Sequence, residues 1–132
     1  MSKLLPNIDD LTRPFWEAAQ QRRLVMQRCS DCGAFVWHPQ PWCRACYGQN
    51  LSWQPISGDA ELFTYSVVHY APLPGYAQEV PYVLATVRLI EGPQMMTNLV
   101  ACDWRQVRIG MPLRVCWEQR ADAFVVPQFT PA

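Results

Sequence analysis

The sequence predicts a mainly β chain, with a short N-terminal helix, then a metal-bound ribbon and then a small closed barrel. Four cysteines form two Cys-x-x-Cys pairs within residues 29–46, and one short helical pattern precedes them. Five short apolar segments bounded by glycine or proline follow, with no room for long crossover helices. We therefore expect an N-terminal arm and helix at 1–23, a ribbon at 24–56 and a barrel at 57–132.

Composition narrows the functional classes. At 132 residues, half of them hydrophobic, the chain can form one ordinary domain or two small modules packed together. Eleven basic and eleven acidic side chains cancel, which weakens any nucleic-acid function that depends on neutralising phosphates. Residues 20–50 carry four arginines against one acid, whereas residues 57–132 carry seven acids against five arginines. A mildly basic patch suits the phosphates of a small ligand better than a duplex.

The N-terminal segment predicts an arm followed by a helix. Residues 1–11 show little periodicity, so we expect them to become ordered only against another surface. From Thr12 to Arg23 a helix is predicted, because Thr12 can cap it and Pro14 is tolerated in the first turn. Its apolar face consists of Phe15, Trp16, Ala18 and Ala19. We expect this face to pack on the same chain, and docking onto a partner subunit is the alternative.

The two cysteine pairs predict a metal site. Cys29 and Cys32 form one pair, and Cys43 and Cys46 form the other after a ten-residue gap. A two-residue spacer lets both thiolates bind one ion, so two pairs complete a tetrahedral site of four sulfurs. The gap is shorter than the usual interval of about 15 to 20 residues. Zn²⁺ is the predicted ion, and iron is the alternative. The metal should be structural, since four sulfurs leave no open position for water.

Two disulfides or a redox dithiol are the other interpretations of these cysteines. Disulfides need an oxidising compartment, and the N-terminus lacks the apolar core of a secretory signal, so we expect a cytoplasmic protein. No segment is long and apolar enough to span a membrane. A thioredoxin-like pair would open a helix in a βαβ unit, whereas these pairs lie among prolines and tryptophans. Gly33, directly after Cys32, suits a metal-binding turn that needs a positive φ, and Gly48 fits less well.

Around the cysteines, two strands predict the hairpin of a zinc ribbon. They span Leu24 to Arg28 and Phe35 to Trp37. A ribbon owes its fold largely to its metal, so it cannot bury many aromatic side chains. Some of them must therefore pack on the second module or face a ligand. The aromatic residues concerned are Phe35, Trp37, Trp42, Tyr47 and Trp53.

The remaining segments predict a five-stranded barrel of the OB-fold type. The predicted strands are Glu61 to Tyr70, Tyr82 to Ile90, Met95 to Cys102, Leu113 to Glu118 and Ala123 to Val126. In the first strand, Phe63, Tyr65 and Val67 should share one face, because side chains alternate. The proline-rich link from Ala71 to Pro81 lies where OB-folds place a ligand-binding loop. We expect an apolar wall around it, formed by Tyr65, Tyr70, Tyr76 and Tyr82.

The order of these parts resembles a known family. The helix, the two cysteine pairs and three later segments occur in the order found in proteins that join a rubredoxin-like zinc ribbon to an OB-fold. The later segments are Pro81-Tyr82-Val83, Asn98 to Asp103 and Ile109 to Pro112. That family was once catalogued as domain of unknown function 35. The resemblance implies Cys29, Cys32, Cys43 and Cys46 as zinc ligands and implies no catalytic residue. The connector departs from the family pattern, since Gln40 stands where an arginine is usual and Arg44 adds a charge nearby.

The resemblance also implies a function. Members are acyl-CoA-associated accessory subunits beside thiolase-like enzymes, including acyltransferases and steroid side-chain aldolases. We therefore expect a non-catalytic subunit that presents acyl-CoA to a thiolase-like, aldolase or acyltransferase partner. The reaction would be acyl transfer or carbon–carbon bond formation or cleavage, on steroid side-chain or polyketide-type substrates. Arg28 and Arg44 are the candidate contacts for the CoA phosphates, because they lie where acids are few.

Two other functional interpretations remain. A single-stranded nucleic-acid-binding protein would use the aromatic residues as stacking platforms, although the barrel segment lacks a basic groove. Catalysis by the isolated chain would need a base or a nucleophile. His69 and Cys102 are the candidates, but neither has an activating partner visible in sequence, so we expect no turnover by the chain alone. His38 is expected at a surface or interface.

Overall fold

The computed structural model describes residues 3–122 and 124–132, and the mainly β prediction is confirmed there. The elements are α1 (Arg13–Gln20), β1 (Val25–Cys29), β2 (Phe35–Val36), β3 (Leu51–Pro55), β4 (Asp59–Val68), β5 (Tyr82–Leu89), β6 (Gln94–Leu99), a 3-10 turn (Trp104–Gln106), β7 (Pro112–Ala121) and β8 (Phe124–Pro131). Ala123, the predicted start of the last strand, lies outside the described residues. No helix in the described part of the chain has the length and apolarity to cross a membrane.

Helix α1 is shorter than predicted, but it packs as expected. It ends at Gln20 because the chain turns sharply at Arg22, which adopts a φ of 56°. Thr12 makes no side-chain cap; instead its own N–H donates to Asp9 Oδ1 at 2.8 Å. The apolar face lies against β8 and β1, and Phe15 is buried in the main core. The helix therefore packs on its own chain.

The ribbon has three strands in the order β2-β1-β3. Strand β3 was not predicted, yet it pairs with β1 along its whole length, from Val25↔Pro55 to Cys29↔Leu51. Its sequence, Leu-Ser-Trp-Gln-Pro, is short and ends in proline, so it carries little strand signal by itself. Strand β2 contains only two residues. The central β1 is thus held on both sides, which fixes the first cysteine pair at its end.

The predicted OB-fold barrel is confirmed, with five strands closed in the order β4-β5-β6-β8-β7. Four of the junctions are antiparallel, and β6 meets β8 in parallel through the single pair Leu99↔Phe129. Two strands differ clearly from the predicted bounds. Strand β6 ends at Leu99, not at Cys102, and β8 continues to Pro131, well past the predicted Val126.

The predicted alternation in β4 is wrong because a β-bulge interrupts it. Leu62 pairs with Val87 and Thr64 with Thr86, so Phe63 is the extra residue between them. A one-residue insertion moves every later side chain to the opposite face. As a result, Leu62 faces the core, whereas Thr64 faces outward with Thr86. Phe63 lies outside the barrel, against the guanidinium of Arg88 at 4.6 Å.

The ribbon and the barrel share one hydrophobic core. Leu24 and Met26 from the ribbon side are buried in the same cluster as the barrel residues. Three of the ribbon aromatics, Phe35, Trp37 and Trp53, pack against this cluster. Trp42 and Tyr47 stay exposed. The prediction that some aromatics pack on the second module is therefore confirmed for three of five residues.

Candidate metal centre and adjoining groove

The four sulfurs lie together at the end of the ribbon. All four Sγ atoms fall within 4.8 Å of one another, and Cys29 with Cys46 and Cys32 with Cys43 are each 3.6 Å apart. Zinc–sulfur bonds of about 2.3 Å place the sulfurs of a tetrahedron about 3.8 Å apart. The four positions therefore fit one tetrahedral ion of that size. Cys29 and Cys43 are buried, whereas Cys32 and Cys46 are exposed.

Each cysteine pair closes with a residue of positive φ. In the first pair that residue is Gly33, as predicted, with a φ of 79°. In the second pair it is Tyr47, with a φ of 61°, and not Gly48. A Cβ at Gly48 would lie 2.6 Å from Asp31 Oδ2, so the exposed Asp31 side chain would have to shift. The N–H groups of Ala45 and Gly48 donate to Cys43 Sγ and Cys46 Sγ at 3.4 Å.

The electrostatics of the cluster also favour a cation. The N–H of Cys46, together with that of Ala45, lowers the pKa of the Cys43 thiol to about 7. At Cys46 the Gly48 N–H acts to lower the pKa, but the neighbouring sulfurs and burial raise it to about 12. One thiolate forms easily, whereas further negative charge among crowded sulfurs is unfavourable without a positive ion. The donor set therefore fits a divalent metal, whose binding would release protons.

A groove lies between the N-terminal arm, the helix and the connector of the two cysteine pairs on one side and the barrel on the other. Its volume is about 360 Å³. The walls are mainly apolar, and polar side chains come from Thr97, Asn98, Arg120 and Gln128 of the barrel and from Asn7, Thr12 and His38. The apolar walls are formed by Phe15, Trp16, Trp37, Met95, Met96 and Val126. Within the described residues, the indole N–H of Trp37 is buried and has no hydrogen-bond acceptor.

A second cavity, of about 290 Å³, lies under the proline-rich loop, and Asn98 lines both cavities. Three of the four predicted wall residues line it, namely Tyr70, Tyr76 and Tyr82. Tyr65 does not, since it borders a separate depression on the barrel surface. Lys3 of the N-terminal arm reaches this loop, and its Nζ lies 2.8 Å from Glu79 of the loop. The same Nζ lies 3.0 Å from Glu118 of β7. The arm is thus ordered against the barrel, as expected.

Family models match both parts of this arrangement. Residues 16–52 match the model described as "ChsH2, rubredoxin-like zinc ribbon domain", and residues 53–118 match "ChsH2, C-terminal OB-fold domain". A "DUF35 domain-containing scaffold protein" of Methanocaldococcus jannaschii is 30% identical over 106 residues, covering 79% of this chain and 74% of that protein. The chain belongs to the DUF35 family.

Two further proteins are more similar to this DUF35 chain in sequence. It is 39% identical over 119 residues to a "Probable enoyl-CoA hydratase alpha subunit" of Thermomonospora curvata, covering 89% of the chain but 37% of that relative. Among solved structures, a chain of "Ltp2-ChsH2(DUF35) aldolase" superposes with a TM-score of 0.88 at 35% identity. That match covers 96% of this chain and 98% of the other. The chain therefore spans a minor part of one relative and nearly the whole of the other.

The two predicted phosphate contacts occupy different places in this DUF35 chain. Arg44 donates to the carbonyl of Trp37 at 3.1 Å, which places its guanidinium at the connector that walls the groove. Arg28 donates to the carbonyl of Gly33 at 3.0 Å and stacks on Phe35 at 4.8 Å, beside the first cysteine pair. Both side chains are exposed and keep further N–H donors. Arg120 is a groove cation that sequence reasoning missed, because nothing in its sequence neighbourhood points to the groove.

The remaining candidates lie apart from one another. His69 is exposed beyond the end of β4, with its ring edge-on to Trp104 at 5.4 Å. Cys102 lies after β6, half-buried, with its Sγ near the Asp103 carbonyl. His38 is exposed, as expected, and stacks on Trp37 at the rim of the groove. Among the described residues, no hydrogen bond or ion pair joins His69 or Cys102 to an acidic or basic side chain that could activate it.

Proposed function

We propose that this chain is a non-catalytic accessory subunit that presents acyl-CoA to a thiolase-like partner enzyme. The observation that carries the proposal is the structural match to a chain of the two-component Ltp2-ChsH2(DUF35) aldolase, over nearly the full length of both chains. A relative named as an enoyl-CoA hydratase subunit supports a CoA thioester as the substrate class. The partner catalyses acyl transfer or carbon–carbon bond formation or cleavage, on steroid side-chain or polyketide-type acyl groups.

In this proposal Cys29, Cys32, Cys43 and Cys46 hold one structural zinc ion. The match to a zinc ribbon model and the fit of the sulfur distances support this assignment. A site filled by four protein sulfurs leaves no position for a substrate or for water. The metal therefore holds the connector in place and performs no chemical step.

Partner docking needs an exposed apolar surface, and the sequence offered the face of the Thr12 to Arg23 helix as one alternative. Helix α1 cannot supply it, because its apolar face is already buried on this chain. Exposed apolar side chains lie instead on the arm, at Leu4, Leu5 and Ile8, and beside the second cysteine pair, at Trp42 and Tyr47. Exposed apolar groups of this kind are typical of interfaces. We assign partner docking to these two regions.

The outward face of the barrel suits acyl-CoA better than a nucleic-acid strand. On the outward face of β4, β5 and β6, the charged residues among those described are Asp59, Glu61 and Arg88, of which Glu61 and Arg88 pair with each other at 3.5 Å. A nucleic-acid strand needs a basic track for its backbone. For the CoA phosphates we propose Arg44, at the groove, with Arg28 further along the ribbon.

Reconstitution from purified components tests the proposal. The tagged chain is purified with its native partner, the partner is identified by mass spectrometry, and each protein is then produced separately. We expect acyl-CoA turnover by the recombined pair, little by the partner alone and none by the chain alone. Turnover by the isolated chain would contradict the proposal, and so would a partner whose activity is the same with and without the chain. Tight binding of a short oligonucleotide would favour the nucleic-acid alternative instead.

The phosphate contacts need a separate measurement on the same pair. Arg44→Gln should weaken acyl-CoA binding and flatten its salt dependence, because one ionic contact is lost. Arg28→Gln should have a smaller effect, and Arg108→Gln, an exposed arginine of the barrel, serves as the matched control. If all three variants bind acyl-CoA with the same affinity and salt slope, the phosphate site lies elsewhere.

A further inference from the structure

The barrel has an open strand edge beside the groove. Strands β6 and β8 form one residue pair, Leu99↔Phe129, and the Val100 N–H donates to the Phe129 carbonyl at 2.8 Å. Continuing this parallel register by two residues would place the N–H of residue 127 opposite the Met96 carbonyl. That residue is Pro127, which has no N–H. Proline therefore stops the ladder after one pair and leaves β6 without a strand partner at Met96.

The backbone of Met96 points toward this opening. The Leu89 N–H bonds to the Pro93 carbonyl at 2.9 Å, so Leu89 and Pro93 form a hydrogen-bonded pair at the β5–β6 turn. Hydrogen-bonded pairs alternate along an antiparallel ladder, and the register makes Met95 and Thr97 the next such residues on β6. The N–H and carbonyl of Met96 consequently face away from β5. They lie on the side where the groove is, and Met96 itself lines it.

The lining of the groove restricts the chemistry of its ligand. Apolar side chains form most of the walls, while an open strand edge, amide side chains and the unbonded Trp37 N–H supply hydrogen-bonding groups. Little net charge is present, because Arg120, the one arginine among the lining residues, donates to Glu118 at 2.8 Å. Such a groove suits an uncharged, extended chain that carries amides between apolar links. An extended chain that joins a strand edge gains its affinity from main-chain hydrogen bonds.

We propose that this groove binds the pantetheine arm of acyl-CoA, extended along the open edge of β6. The inference rests on the proposed function, and it specifies the place and the mode of binding. Pantetheine has two secondary amides, short apolar links and no charge, as the groove requires. The N–H of one amide donates to the Met96 carbonyl, and the carbonyl of the other accepts from the Met96 N–H, with Asn98 and Trp37 beside them. Arg44, at the connector, then lies at the end where the phosphates emerge.

An NMR titration of the zinc-loaded, ¹⁵N-labelled full chain tests this inference, with pantetheine itself as the probe. Amide signals of Met96 and Thr97 should shift most, because they belong to the peptide groups that form the open edge. The indole N–H signal of Trp37 should shift with them. Adenosine 3′,5′-bisphosphate, which lacks the pantetheine arm, should leave these signals unchanged.

Two variants and one control sharpen the test. Met96→Lys places a charge in the groove and should weaken pantetheine binding about tenfold. Pro127→Ala restores the missing N–H opposite the Met96 carbonyl, so it should weaken binding without adding a charge. Met96 is 65% exposed and Ile109 is 62% exposed, so Ile109→Lys, away from the groove, is the matched control and should bind as the parent does.

The outcomes separate this inference from the function on which it rests. Shifts that map elsewhere, no shifts at millimolar pantetheine, or equal binding by Met96→Lys would overturn the groove assignment. If the recombined pair then still turns over acyl-CoA, only the groove is wrong. If the pair shows no dependence on the chain, the proposed function fails, even where pantetheine binds at Met96.

Discussion

The ribbon and the barrel are stabilised in different ways. Apart from its sulfurs, the local cluster of the ribbon contains one fully buried apolar side chain, Val36, with Ala34 and Leu51 partly buried around it. The barrel buries a continuous cluster that includes Leu62, Val87, Leu89, Leu113 and Phe129. Burial of such side chains is the main favourable term in folding. Hydrophobic burial therefore stabilises the barrel, whereas the ribbon relies on the surface of the barrel and, as we expect, on a bound metal ion.

This difference explains where the groove lies. The connector that walls the groove, including Trp37, is fixed at one end by the cysteine cluster and on one face by the shared core. The opposite wall belongs to barrel strands. A ligand in the groove would therefore contact two walls. The position of one wall depends on metal binding, and the position of the other depends on hydrophobic packing. Disturbing either part should change the groove, although by different routes.

Removing the metal should have the largest effect, and it should act first on the ribbon and then weaken the barrel through the core that the two parts share. Apparent metal-binding free energies in such sites are about 10 kcal/mol or more, and they contribute to the free energy of folding. In a Cys43→Ser variant, amides of β1 and β3 should exchange rapidly with deuterium, while those of β5 should keep more of their protection. Cys102→Ser, outside the cluster, is the control. A ribbon that stays protected in a metal-free sample would show that packing alone holds it.

Elemental analysis of the parent protein accompanies this test. One zinc per chain is expected from the four-sulfur site. Iron in place of zinc would leave the closed cage intact but would contradict the zinc assignment. A folded ribbon without any metal would contradict both.

Met26→Ala should have the next largest effect, because this ribbon residue is fully buried in the core of the barrel. Truncating a buried methionine to alanine costs about 2 to 5 kcal/mol. Both parts should lose stability together in a urea titration followed by tryptophan fluorescence. Met96→Ala removes an exposed methionine and should change the free energy of unfolding little. If Met26→Ala affects only the ribbon, the shared core is not a cooperative unit.

Tyr47→Gly should stabilise the ribbon slightly. Tyr47 has a φ of 61° and is 77% exposed, so its side chain contributes little packing in return for an unfavourable backbone conformation. Relief of a left-handed conformation gives about 1 to 2 kcal/mol, from which glycine loses about 0.5 to 1 kcal/mol through chain entropy. A small rise in melting temperature is expected. Gln49→Gly, in the same loop, should lower it, and a lower value for Tyr47→Gly would contradict the argument.

The ion pairs of the arm should give the smallest effect, visible as pH dependence. Although partial burial acts to raise it, hydrogen bonds from Arg120 and Lys3 lower the pKa of Glu118 below its usual 4.5. A carboxylate with a lowered pKa stabilises the fold above its unfolded pKa, and this stability is lost as the pH falls through the folded value. Glu118→Gln should therefore reduce the loss of melting temperature between about pH 5 and pH 2. Glu17→Gln, at an exposed position, should leave that loss unchanged, and the same slope in both variants would contradict the assignment.

Part of the site was predictable because its signal is local. The spacing of Cys29, Cys32, Cys43 and Cys46 brings together sulfurs that the structure finds within 4.8 Å. The local sequence did not predict the role of Tyr47. A glycine was expected at the position of positive φ after the second cysteine pair, and a tyrosine occupies it. The bulge at Phe63 and the strand β3 were also missed. Each depends on which strand lies alongside, and that information is absent from the segment itself.

By itself the sequence determined the fold class, the family and the cysteine cluster, because periodicity, turn residues and ligand spacing act over a few neighbouring positions. The tertiary structure decided the rest. It buried the apolar face of α1 against β8, placed Arg44 at the connector, and brought Trp37, Met96 and Pro127 to one groove although they are far apart in the chain. Pairing between distant strands sets that groove, and one proline without an N–H opens its edge. Such contacts exist only once the barrel has closed, since no residue's own neighbours specify them.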